Sequence, residues 1–194
     1  MGKMFDNLHV VLGIGLALAL VLMAGFHADL IDADRLSAEG LLRWVHVFFG
    51  ILWIGLLYYF NFVQIPTMPS VPAELKPGVS KYIAPNALFY FRWAAVFTVL
   101  TGALLALARG YLVEALTLQS QVRLIGIGMW LALIMAANVW FVIWPNQRRV
   151  LGLVEADDAR KAASARTALV ASRTNTALSI PMLYAMTTYQ TLGS

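Results

Sequence analysis

Long apolar runs separated by short polar connections dominate this chain. Five of them match a hydrocarbon core that needs about 20 helical residues. They lie at 8–27, 41–64, 88–108, 122–145 and 174–191. The fifth is the most polar, with Asn175, Thr176, Ser179, Pro181, Thr187 and Thr188. Lipid tolerates such groups only where neighbouring helices satisfy them, so this run is expected to pack inside the bundle. The first run follows Lys3 and lacks a small-x-small cleavage site, so it reads as a retained anchor.

Two connections stand out. The stretch "IPTMPSVPAELKPGVSKYIAP" holds five prolines, which predicts an extended hairpin or a mobile connector and no helix. "EADDARKAASARTALVASR" has its acids early and its bases late, matching the helix dipole, and predicts a cytoplasmic helix leading into the last run. The expected fold is an all-α integral membrane protein. It is a bundle of about five transmembrane helices plus a cytoplasmic amphipathic helix, forming a single domain over 1–194.

Composition excludes the soluble alternatives. With 60% hydrophobic residues, 12% charged residues and a mean hydropathy of +0.73, the chain is too apolar for an ordinary soluble domain. Its basic residues fall between apolar runs and not on one polar face, so they are topology signals and no nucleic acid is implied. Lys3, Lys76, Lys81, Arg148, Arg149, Arg160, Lys161, Arg166 and Arg173 gather on one side, against Arg35, Arg43, Arg109 and Arg123 on the other. The imbalance predicts a cytoplasmic N-terminus and a periplasmic C-terminus in a bacterial inner membrane. The absence of cysteine excludes disulfides, thiolate metal sites and covalent haem attachment.

Candidate chemistry centres on "RWVHVFFGILWIG", Arg43 to Gly55. On a helix, Arg43, His46, Gly50, Trp53 and Leu57 share one face. A glycine one turn from a histidine leaves a flat recess that suits a porphyrin, so His46 is the candidate metal ligand for haem b. Gly50 gives ring access and Arg43 is the propionate partner. His27 is the first candidate for a second axial ligand, followed by Met186 and Met129, while His9 belongs to the opposite face. The competing expectation is a neutral His46 hydrogen-bonded to a carbonyl, with Arg43 and Trp44 as interfacial anchors. Arg92 is expected to snorkel to lipid phosphate, Asn138 to bridge helices, and Trp140 and Trp144 to join an aromatic belt. No Ser/His/Asp set, acidic pair, phosphate-cradling loop or zinc spacing is present, which sets aside soluble hydrolase and kinase mechanisms.

The blocks "LLRWVHVFFGILWIGLLYYF", "KYIAPNALFYFRWAAVFTVLTGALL", "ANVWFVIWPNQRRV" and "SRTNTALSIPMLY" resemble, in order and spacing, the urate oxidase N-terminal domain family, the membrane part of membrane-bound urate hydroxylases. The resemblance covers most of the chain after residue 40. In longer members a cytochrome c domain follows on the outer side, which implies a separate cytochrome as partner for this chain. The family pattern has a glutamate where this chain has Ala94, a histidine where it has Thr174, and a glycine-rich, histidine-containing insertion where it has the proline-rich connection. What is retained is His46, Gly50, Trp53, Gly55, Asn138, Pro145 and Asn175. Two functions follow: a haem-binding, electron-passing membrane subunit, or a non-catalytic accessory subunit packed on a larger membrane complex or a homo-oligomer. In both, membrane lipid is the surrounding partner.

Overall fold

A computed structural model describes residues 6–26 and 34–192, and every regular element among them is helical. Lys3 and His27 lie outside the described residues. The long helices are α1 (Leu8–Phe26), α2 (Ala38–Ser70), α3 (Lys76–Ala108), α4 (Ser120–Val150) and α5 (Asp158–Leu192), with a short helix, Leu112–Leu116, between α3 and α4. The first four are long and apolar enough to cross a membrane. The chain divides into two units, Met1–Leu41 and Leu42–Ser194. In the first, α1 is apolar all round and buries none of its residues, as suits a helix whose solvent is lipid.

The proline-rich connection is helical over most of its length, contrary to the expectation from its composition. α2 runs on to Ser70, α3 begins at Lys76, and only 71–75 form the turn. Pro77 falls in the first turn of α3, where the missing N–H has no intrahelical partner to lose, whereas Pro66 and Pro69 lie inside α2 and Pro85 inside α3. Pro66, Pro85 and Pro145 each follow a π-helical stretch, Tyr59–Gln64, Val79–Ile83 and Val139–Ile143 respectively. Widening the backbone ladder in that way makes room for the proline ring against the preceding turn.

The core of the second unit joins Trp53, Leu57 and Phe60 of α2, Leu88, Phe91, Ala94 and Ala95 of α3, Ala132, Met135, Val139 and Ile143 of α4, and Ala171 and Met182 of α5. α5 is built the other way round from an ordinary amphipathic helix. Its buried stripe at three- and four-residue spacing is small or polar but for Met182, with Ser164, Ala168, Ser172, Asn175, Ser179, Met182 and Ala185, while Val170, Ile180 and Tyr184 are exposed. The amphipathic segment and the last apolar run are thus one continuous helix.

α5 packs antiparallel along α4. Asn138 meets Ala171, Met135 meets Asn175, and a Cβ on Gly128 would touch that of Ala185 at 3.1 Å. Beyond them Arg109 Nη1 donates to Gln190 Oε1 at 3.1 Å and Tyr111 meets Tyr189 edge-on. The short helix is pinned to α4 as well. Trp130 Nε1 donates to Leu116 O, and any Cβ on Gly126 would overlap the Ala115 carbonyl.

Candidate functional site around His46

The face Arg43, His46, Gly50, Trp53, Leu57 turns from solvent or lipid into the core along its length. Arg43 is exposed, His46 and Gly50 are half-buried, and Trp53 and Leu57 are fully buried. His46 meets α3. Its Nδ1 lies 2.9 Å from Thr98 O and 3.4 Å from Thr101 Oγ1. A carbonyl can only accept, so Nδ1 carries the proton and Nε2 keeps its lone pair in the neutral ring. The Thr98 and Thr101 hydroxyls donate back along α3 to Ala94 O and Phe97 O, and the Thr101 hydroxyl also lies 3.3 Å from the Thr98 carbonyl that the imidazole uses.

The glycine that makes room for this ring is Gly102 of α3. A Cβ there would stand 2.8 Å from His46 Cε1 and 3.0 Å from Nδ1. Gly50 instead faces Thr98, whose Cγ2 would lie 3.9 Å from an added Cβ, an ordinary contact between α2 and α3. Trp53 fills the core, and its indole N–H has no partner among the described residues. Sequence reasoning passed over Thr98, Thr101 and Gly102. The signal available was the "TVLTG" run, two hydroxyls and a glycine within one turn of an apolar helix.

Of the other axial candidates, His27 lies outside the described residues and His9 is exposed in the first unit. Met186 packs its Cγ and Cε against Gly128, and Met129 packs on Ala115, Val122 and Ile125. Among the described residues no three His, Cys, Asp or Glu side chains gather to hold a metal ion. Among the described residues, then, the donor set would offer a haem one axial bond, through His46 Nε2, and no second.

A buried polar layer lies deeper in the unit. Asn175, fully buried, donates to Met135 O at 3.0 Å and accepts from Asn138 Nδ2 at 2.8 Å. Asn138 also donates to Ala171 O, so it bridges α4 and α5. Asn61 Nδ2 donates to Leu57 O and Ser172 Oγ, and Tyr58 OH meets Ser179 Oγ at 2.9 Å. Asn61 sits in the first π-helical stretch and Asn138 caps the third, so two of the widened turns border this layer. Ala94 is buried in the core, and Thr174 is exposed with its hydroxyl turned back to Val170 O.

The Arg92 side chain runs back one turn along α3 towards its N-terminal end. Its guanidinium lies over the Trp144 ring, 3.3 Å from the centroid, and 5.5 Å from that of Trp140, while Nε donates to Leu88 O. Trp140 and Trp144 are one turn apart, and they receive Arg92 as a cation on an aromatic ledge.

Residues 112–190 match the family described as Urate oxidase N-terminal. The match covers less than half of the chain. The matched stretch holds the whole of α4, the polar layer from Asn138 to Ser179, and the tryptophan ledge. His46, Arg92 and Gly102 precede it. No curated protein and no solved structure matches the chain.

Proposed function

We propose that this protein is a membrane redox subunit in which His46 Nε2 takes one axial position of a haem b and electrons pass to a separate cytochrome. The observation that supports it is the hydrogen bond from Nδ1 to Thr98 O. Ligating histidines are oriented in this way by a carbonyl on their other nitrogen, which also raises the basicity of the ligating one. A haem, when bound, would supply one-electron chemistry. The chain's own part is to hold the imidazole in one tautomer against α3, with Arg43 one turn away as the cation for a propionate. We place the protein in a bacterial inner membrane with five spans, because α5 runs beside α4 from Ala171 to Ala185 and a helix so packed follows its neighbour across the bilayer.

The second reading is a non-catalytic accessory subunit. It is favoured by the seating of the imidazole on Gly102, which makes His46 a knob locking α2 to α3 whether or not it binds a metal. The reduced-minus-oxidised absorption spectrum of the purified chain separates the two. The redox reading expects a Soret band with α and β bands that disappear in His46→Gln, an amide able to keep the bond to Thr98 O but not to replace the imidazole. A wild-type chain that stays colourless when offered haem would leave only the accessory reading.

A further inference from the structure

We infer that the ledge formed by Arg92, Trp140, Trp144 and Arg148 is a binding site for the phosphodiester head of an anionic phospholipid. Trp140, Trp144 and Arg148 follow one another at four-residue spacing on α4, so they form a single stripe that the Arg92 guanidinium faces. Arg148 lies one turn beyond Trp144, the ring that the Arg92 guanidinium covers. Among the described residues no carboxylate offsets either one. Arg92 donates through Nε to Leu88 O alone, and the exposed Arg148 side chain has no partner there. Two guanidiniums on either side of Trp144, with donors left over and no acid between them, call for an anion that accepts from both.

The apolar surroundings identify the source of that anion. Phe89, Trp93 and Phe97 form a stripe on α3 at four-residue spacing, 49%, 41% and 39% exposed, with successive rings 6.4 and 6.3 Å apart. Trp93 meets Trp140 edge-on at 5.7 Å, so the stripe is continuous with the ledge. It leads from the guanidiniums into the span, which gives an acyl chain an aromatic track directly below its own headgroup. A free phosphate would use the guanidiniums and leave the track bare. The inference is independent of any cofactor at His46.

The test is thermal unfolding of the full chain in mixed micelles carrying phosphatidylglycerol or phosphatidylcholine at equal mole fraction, or inorganic phosphate without added lipid. Phosphatidylglycerol at about tenfold excess over its Kd is expected to raise Tm by roughly 3–6 °C. Phosphatidylcholine and phosphate are expected to give much smaller shifts. Arg148→Gln, an exposed change that leaves the fold alone, should abolish the difference between the two lipids, and Arg92→Gln should do the same. Equal shifts from both lipids, or a phosphatidylglycerol shift that survives Arg148→Gln, would overturn the site. An equal shift from inorganic phosphate would overturn the lipid as its occupant.

Discussion

At the residue scale the contact between His46 and Gly102 makes two glycines of the same helix pair behave oppositely. Gly102→Ala drives a methyl group into an imidazole that is tied to Thr98 O, and displacing either group strains a packed interface at about 1–3 kcal/mol. Gly50→Ala meets only the Thr98 methyl group at an ordinary distance and removes a helix-interior glycine that costs roughly 1 kcal/mol relative to alanine. The first variant is therefore expected to melt several degrees below wild type and the second at or above it. Indistinguishable melts would mean that the imidazole does not rest on Gly102. Asn175 is the other residue where one side chain carries much of the packing. Asn175→Leu fits the space but takes a donor from the Met135 carbonyl and an acceptor from Asn138, a loss of about 1–3 kcal/mol. Because the two amides share a bond, Asn138→Leu should add less in the Asn175→Leu background than alone, which a double-mutant cycle in detergent unfolding measures.

At the element scale, α5 shows why hydropathy and structure can disagree. Its inward stripe of serine, asparagine and alanine lowers its apolar content, and the groups that lower it are those satisfied by α2 and α4. The native chain has no cysteine, so single cysteines report position cleanly. Glu155→Cys precedes α5 and Thr191→Cys lies in its last turn, and both parent positions are exposed. If α5 crosses the bilayer, a membrane-impermeant thiol reagent added to intact cells labels the second and spares the first until the membrane is opened. Labelling of both from one side would place α5 along the surface. The same experiment reads orientation, since the excess of basic residues on the Glu155 side predicts that this side is cytoplasmic.

At the scale of the whole molecule, the all-helical fold and four of its long apolar helices were legible because lipid imposes one rule on every span: about 20 apolar residues in a row. The inward direction of the face from Arg43 to Leu57 was legible too, since helical spacing alone brings those residues into line. What lay out of reach depended on partners in other helices. Gly50 is closer to His46 in sequence, yet Gly102, more than fifty positions away, is the glycine beside its ring. Arg92 could be seen as a charge in a span, but nothing near it in the chain shows that Trp144 would receive it. The prolines of the connection misled because composition reports how many there are and not that π-helical stretches precede Pro66 and Pro85 and that Pro77 falls in the first turn of α3.

The inverted polarity of α5 also bears on how the protein is made. A nascent segment enters the bilayer from the translocation channel by partitioning, and α5 emerging alone would present its serines and Asn175 to hydrocarbon without the carbonyls and amides that answer them. α4 leaves the ribosome first and carries Asn138 and the Met135 carbonyl, the partners that Asn175 requires. α5 is therefore expected to wait at the channel and enter as a pair with α4. Fused behind an unrelated leader helix, the segment Asp158–Leu192 should remain outside the membrane in a glycosylation-mapping assay, and restoring α4 ahead of it should bring it in.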